Sequence, residues 1–379
     1  MAAAEKTVIR DAIHGDIELD GGVLSILDEP AMQRLRYVRQ WATTYLVFPS
    51  ARHSRFEHSL GTYCLTRMLC GRLIADADEA AHVSIAGLLH DAGHPAFSHL
   101  SEVVVHGLTG KDHEQLGIDI VSSQPLSAAL EKRGYSVSKI VSILSGKDRH
   151  HALIGGDLGT DRMDYLLRDA YFCGVNYSTV DASRLINTLK LSAGELVVPA
   201  KGLRAAESLL VSRHLMMSSV YYHHAVRIAS KMLRKAIRIS MEDGGLTVGD
   251  LCNGTDDHLL FSMAKSGSRL ARMLTQRRLF KRALSKPLSV PKASWQRESE
   301  KVARELEGEF GEESVVVCSP VIHSSGVSLH TDAFGKSESL AEASGLVKAL
   351  TASESAPELI VACEPALMEK VAKAAARLI

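Results

Sequence analysis

From Gly22 to about Lys286, apolar residues recur at spacings of three and four, a period that one face of a helix can bury and a strand cannot. The pattern runs through 23–40, 57–75, 82–90, 114–123, 138–144, 162–172 and 205–241, and it predicts a mainly α fold. Residues 7–20 depart from it, alternating apolar and polar around His14-Gly15-Asp16, which predicts a short N-terminal β-hairpin. Glu195-Leu196-Val197-Val198-Pro199 reads as a strand inserted between helices. At Lys286-Pro287-Leu288-Ser289-Val290-Pro291 turn formers take over. Beyond them come the strand-like Ser314-Val315-Val316-Val317-Cys318, a Gly/Ser-rich loop near Ser325-Gly326, the strand-like Leu359-Ile360-Val361-Ala362 and an Ala-rich helix, so a small C-terminal α/β lobe is expected. The division predicted is 1–286 and 287–379, and 379 residues give ample core for both.

Eight of the 17 histidines fall between His53 and His113, a concentration hard to assign to packing. Singly, His53, His82 and His106 are read more simply as surface or hydrogen-bonded side chains. The apolar run Val83, Ile85, Ala86, Leu88 and Leu89 leads into His90-Asp91-Ala92-Gly93-His94-Pro95, where Gly and Pro stop the helix. His90 and Asp91 therefore sit where a helix opens onto a cleft. Asp161, Tyr165 and Arg168 are spaced by four and three and share one helix face, while Met163, Leu166, Leu167 and Ala170 can turn inward.

The 44 basic and 44 acidic residues cancel, which gives no general electrostatic reason to expect a nucleic acid or a membrane as partner. A local basic pocket for a phosphorylated small molecule remains compatible with that balance. Cys64, Cys70, Cys173, Cys252, Cys318 and Cys363 show no CxxC spacing, the pattern of reduced thiols in a cytoplasmic protein. Met-Ala-Ala-Ala-Glu-Lys lacks the apolar core of a signal peptide, and no stretch approaches the ~18 uninterrupted apolar residues of a membrane span.

Four motifs occur in order: Arg-Phe-Glu-His-Ser-Leu-Gly (55–61), His-Asp-Ala-Gly-His-Pro-Ala-Phe-Ser-His (90–99), Asp-His-Glu-Gln (112–115) and Asp-Arg-Met-Asp-Tyr-Leu-Leu-Arg-Asp (161–169). Together with Ile13-His14-Gly15, Met32-Gln33-Arg34-Leu35-Arg36-Tyr37, Phe48-Pro49, Tyr221-Tyr222-His223-His224 and Arg278-Leu279-Phe280-Lys281, they resemble the HD-domain phosphohydrolases. The likeness is greatest to the branch of dNTP triphosphohydrolases. It covers about three quarters of the chain and implies an all-helical HD-domain core.

The resemblance implies that His58, His90, Asp91 and Asp161 hold a divalent metal: iron, manganese, zinc or magnesium. Two imidazoles and two carboxylates suit such an ion, and four protein ligands leave positions open for water and substrate. By the same resemblance His94, His99 and His113 line the catalytic pocket, with Glu102 in place of an aspartate that orients one of them. Either His99 or His113 is the candidate proton donor. Arg55, Arg162 and Arg213 would hold the triphosphate, Gln40 and Asp169 the sugar 3′-hydroxyl, and Tyr165 and Tyr221 the deoxyribose. For the arginines the simpler alternative is a surface salt bridge. Tyr222 stands where a glutamine lies near the base, so base preference does not carry over.

A nucleotide effector such as GTP and a homo-oligomer, dimer or tetramer, are also implied. Asp28, Gln33 and Arg36 match one part of the effector site, and Arg277 and Lys281 another; the alternatives are a helix cap for Asp28 and a solvated charge for Arg36. The reaction implied is hydrolysis of a dNTP to deoxynucleoside and inorganic triphosphate. The HD ligand set also serves nucleotidases and phosphodiesterases of mono- or cyclic nucleotides. A third reading is a nucleotide-sensing module without turnover.

Overall fold

The computed structural model describes residues 7–178, 180–192, 194–288, 292–320, 330–331, 338–352 and 358–379. Strands β1 (Thr7–Asp11) and β2 (Gly15–Leu19) form the expected antiparallel hairpin, turning through Gly15 at φ +73°. The 23–40 pattern is broken into pieces. Asp20 caps α1 (Gly21–Leu27) by accepting from the amides of Gly22 and Val23, and Pro30, which has no N–H to donate, opens α2 (Pro30–Arg34). After a 3-10 turn at Leu35–Tyr37 the chain is extended and bridges Arg39 to Ser54.

The body is built on α3 (Arg55–Leu73), opened by a capping box between Ser54 and Glu57 and buried on most of its circumference. It packs along α4 (Ala77–Leu89) and later along α10. Between them come α5 (His99–Thr109), α6 (His113–Ser122), α7 (Leu126–Lys132), α8 (Val137–Leu144) and α9 (His151–Gly155), and then α10 (Thr160–Cys173) and α11 (Ala182–Thr188). Two close contacts with later helices, one from α3 and one from the loop after α4, exist only because of glycine. A Cβ on Gly61 would lie 1.9 Å from Asp164 Oδ1 on α10, and one on Gly93 would lie 2.1 Å from the Gly117 nitrogen on α6.

The inserted strand is β4 (Glu195–Val198), paired with β3 (Lys190–Ser192). The 205–241 pattern is two helices, α12 (Leu203–Met216) and α13 (His224–Glu242), separated by a π turn at Met217–Tyr221. Periodicity alone does not show such a turn, because it shifts the helical phase by less than the pattern resolves. Helices α14 (Val248–Asn253), α15 (Asp256–Lys265) and α16 (Arg269–Thr275) form a second core against α13 and α5, around Met232, Leu233, Leu251 and Leu274.

The helical reading up to Lys286 is corrected at its end. Lys281–Pro287 is a strand, β5, held by antiparallel pairing. The C-terminal stretch adds α17 (Trp295–Phe310), β6 (Val315–Cys318), β7 (His330–Thr331), β8 (Glu338–Ser339), α18 (Leu340–Ala343), α19 (Gly345–Ala352), β9 (Glu358–Cys363) and α20 (Met368–Leu378). One sheet has the order β5-β9-β6. Leu359, Val361 and Cys363 of β9 face α17 and α20, while Ile360 and Ala362 face the second core, so both faces are buried. Strand β7 instead pairs parallel to β4, and Leu340 and Val347 enter the core of the main body. The strand crossing residue 286 thus belongs to the C-terminal sheet, and part of the C-terminal stretch belongs to the body. The expected loop near Ser325-Gly326, and Ser289 to Pro291, lie outside the described residues.

Candidate active site

His58 stands one turn into α3, His90 caps the C-terminus of α4, Asp91 follows it, and Asp161 is in the first turn of α10. The packing of these three helices brings the four side chains together. His58 Nε2 lies 3.0 Å from Asp161 Oδ1, 3.3 Å from His90 Nε2 and 3.8 Å from Asp91 Oδ2, and His90 Nε2 lies 3.4 Å from Asp91 Oδ1. Each imidazole is oriented from behind. His58 Nδ1 is 2.6 Å from Asp164 Oδ2, and His90 Nδ1 is 2.9 Å from the Gly87 carbonyl oxygen. With both Nδ1–H groups donating outward, both Nε2 lone pairs face the cluster, as in a metal centre whose histidines are aligned by outer partners. The donor set fits a divalent cation.

Burial opposes a charge on His58, but hydrogen bonds to Asp161 and Asp164 outweigh it and push its pKa up to about 10. The Asp91 carboxylate is held well below its usual range; burial acts against this and is overcome by Arg55, His90 and His94. Arg55 Nη1 donates to Asp91 Oδ2 at 2.6 Å, while His94 Nε2 is 3.3 Å from Asp91 Oδ1.

A second cluster adjoins the first. Glu102, in the first turn of α5, reaches two histidines at once: Oε2 is 2.7 Å from His99 Nδ1, and Oε1 is 2.5 Å from His113 Nδ1 and accepts from the His113 amide at 3.0 Å. The ring of His94 stacks on His113 at 4.0 Å. These four side chains also satisfy the spacing of a metal-holding group. The two carboxylate-bound histidines differ in charge. Burial lowers the pKa of His99 despite Glu102, whereas at His113 the opposing pull of Glu102 outweighs burial and raises it. Burial and Arg55 hold His94 neutral.

Both clusters open on a cavity of about 370 Å³. Gln40, Trp41, Arg55, Tyr165, Arg213 and Tyr221 complete its walls, with His151 and Met217 at the side of α9 and the π turn. Of the residues expected to touch substrate, Gln40, Arg55, Tyr165, Arg213 and Tyr221 line it. Asp169 does not. It is buried behind the wall, where Trp41 Nε1 donates at 2.8 Å, Tyr221 Oη donates at 2.5 Å and His53 Nε2 approaches at 2.7 Å, so its oxygens are spent on holding the wall. Arg162 is not in the lining either, because its guanidinium is drawn to the Asp157 side chain and carbonyl. Arg168, on the same helix, does not join Asp161 and Tyr165 in the lining. It is fully buried between Asp11 and Asp164, at 2.8 to 3.2 Å.

Sequence reasoning missed Asp164, Trp41 and the pairing of His14 Nε2 with Asp164 Oδ1 at 2.6 Å, whereas His53 is a hydrogen-bonded side chain, one of the two simpler readings given for it. Asp164 was within reach, since it lies three residues after Asp161 in a quoted motif; Trp41 carried no signal beyond adjacency to Gln40. The residues expected to form an effector site sit elsewhere. Asp28 closes the C-terminus of α1, Gln33 Nε2 donates to the Leu27 carbonyl, and Arg36 is exposed with its guanidinium 3.6 Å above the Phe56 ring. Arg277 lines a separate hollow of about 540 Å³ with Tyr45, Arg52 and Phe261, and neither Asp28, Gln33 nor Arg36 borders it. Lys281 is exposed at the start of β5.

The model of the HD domain matches residues 55–169, and that of the HD associated region matches 180–379. The chain belongs to the HD-domain phosphohydrolase superfamily. Within this superfamily it stands near the dNTPase branch. It is 38% identical, over 73% of its length, to an uncharacterized protein of Methanocaldococcus jannaschii, of which the alignment covers 59%. It is 32% identical, over 60% of its length, to the deoxynucleoside triphosphate triphosphohydrolase SAMHD1 homolog of Dictyostelium discoideum, of which 48% is covered. The chain thus spans about half to three fifths of these relatives. A hypothetical protein from Aquifex aeolicus superposes with a TM-score of 0.80 at 30% identity, covering 98% of this chain and all of that one. No helix among the described residues is long and apolar enough to cross a membrane.

Proposed function

We propose that this HD-domain phosphohydrolase hydrolyses deoxynucleoside triphosphates to deoxynucleoside and inorganic triphosphate in the cytoplasm. The observation that carries the reading is the convergence on one cavity of His90, Asp91 and Asp161, with His58 directly behind them, of the Glu102-bound histidine pair and of the ring wall of Tyr165, Tyr221 and Trp41. A divalent ion held by His58, His90, Asp91 and Asp161 would polarise a phosphate oxygen and lower the pKa of water.

The chain's own side chains supply the rest. Arg55 and Arg213 face the cavity and would neutralise phosphate charge. When water adds to the α-phosphorus and the bond to the 5′-oxygen breaks, that oxygen needs a proton. His113 is the better donor of the two candidates, because Glu102 keeps it protonated to higher pH than an ordinary histidine, whereas His99 is neutral more readily. Tyr221, held by Asp169 and stacked on Trp41 with ring centroids 4.3 Å apart, offers a fixed face to the sugar. Gln40 Oε1 is buried without a partner among the described residues and suits a sugar hydroxyl.

A homo-oligomer with a nucleotide effector such as GTP belongs to the same reading, with Asp28, Gln33 and Arg36 from one chain meeting Arg277 and Lys281 from another. Chromatography of products after incubation with each dNTP, in manganese, magnesium or iron, tests the reaction. Deoxynucleoside with intact triphosphate is expected, and is expected to vanish in His90→Ala with Asp91→Ala. Monophosphate products would replace the reading with a nucleotidase or phosphodiesterase.

A further inference from the structure

The metal ligands stand on α3, α4 and α10, all of the main body, whereas the loop joining Asp91 to His99 is shaped by the other core. Phe97 and Ser98 both adopt positive φ, at 66° and 52°, a region that side-chain-bearing residues enter only when their surroundings compel it. The compelling contacts come from the junction of α14 and α15. Asp256, 1% exposed at the start of α15, accepts from the Phe97 amide through Oδ1 at 2.7 Å and from the Arg39 amide through Oδ2 at 3.1 Å. The Ala96 amide donates to the Leu251 carbonyl at 2.8 Å. Arg34 bridges the Gly254 carbonyl, at 3.2 Å, to the His94 carbonyl, at 2.6 Å.

Both partners of Asp256 carry cavity residues. Phe97 lies between His94 and His99, and Arg39 immediately precedes Gln40 and Trp41. Ser98 completes the link, its Oγ donating to the Arg39 carbonyl at 2.7 Å while accepting from Arg55 Nε at 2.7 Å. A single carboxylate thus joins the histidine loop to the opposite wall. An amide of that shape does not replace it, since each oxygen accepts from a different backbone N–H and an amide would turn an NH2 donor toward one of them.

We propose that Asp256 is a positioning residue: by bridging the Phe97 and Arg39 amides it holds the strained histidine loop and the Gln40–Trp41 wall in register for hydrolysis, without contributing to metal binding. Its carboxylate faces Arg39 and Asp257, and Arg34 from α2. The kinetic arm of the test rests on the dNTPase reading; the exchange arm does not.

Asp256→Asn removes one acceptor and keeps the volume. Expected in the folded variant is metal content equal to wild type, kcat lower by about tenfold or more with KM changed by less than about threefold, and faster amide exchange confined to 92–99 and 38–41. Loss of metal in step with activity would make Asp256 a general structural residue, and unchanged kcat with unchanged exchange would remove it altogether. In the wild-type chain the Ala96 and Phe97 amides should exchange as slowly as those of α15. Rapid exchange there overturns the brace even if the variant fails to fold. If wild type yields no deoxynucleoside from any dNTP, the substrate reading falls and exchange alone decides the role of Asp256.

Discussion

Asp164 accepts from His58 through one oxygen, approaches His14 through the other, and meets the Arg168 guanidinium with both. Burial would raise its pKa, but Arg168, His14 and His58 overcome that and keep it ionised far below the usual carboxylate range. Asp164→Asn should therefore weaken metal affinity by about 10–100-fold, the usual effect of losing a histidine's outer partner, as read by competition with a chelator. Glu102 acts similarly in the histidine pair. Because its carboxylate raises the pKa of His113, the protonated donor persists as pH rises and is lost only above that raised value. With Glu102→Gln, burial is no longer opposed by a charge, so the alkaline limb of the pH–rate profile should move to lower pH. Turnover at neutral pH should drop by about a hundredfold. An unmoved limb would take the donor role away from His113. The four proposed metal ligands, His58, His90, Asp91 and Asp161, could be named from the motifs, and the structure brings their side chains together. Asp169 and Arg162 were misplaced because a motif gives a residue's type and not which neighbour claims its hydrogen bonds.

The site depends on helices that approach closely, and that closeness has a sequence mark. Gly61 lets α10 lie against α3, so that Asp161 and Asp164 reach either side of the His58 ring. Gly61→Ala would place a methyl on Asp164 and Arg168, neither of which can withdraw from its buried ion pair. A loss of about 3 kcal/mol in urea unfolding, with weaker metal binding, is expected. Most helices were legible from their period, since an apolar stripe of this kind has few other uses. The breaks were not. Pro30 shows why α1 stops, but the π turn at Met217–Tyr221 shifts the helical phase too little to be read, and the strand β5 depends on a partner distant in sequence. The two positive-φ residues before α5 are likewise invisible, because neither is glycine.

At the scale of the molecule, two cores meet at the 92–97 loop, and the C-terminal sheet closes the second with Val316 and Ile360. If effector residues of two chains form one site, light scattering should show GTP raising the mass of the wild-type protein, and Arg36→Ala with Arg277→Ala should abolish the shift. Bulk neutrality says nothing of the proposed homo-oligomer, which came from the resemblance, for assembly is decided by local patches rather than net charge. The N-terminal hairpin is fastened at two points, Asp11 to Arg168 and His14 to Asp164, and through Asp164 to the ring of His58. Docking of that hairpin and occupancy of the proposed metal centre would therefore be linked, and linkage is reciprocal. Added divalent metal should slow tryptic clipping at Arg10, and protein clipped there should release its metal to a chelator faster than the intact chain.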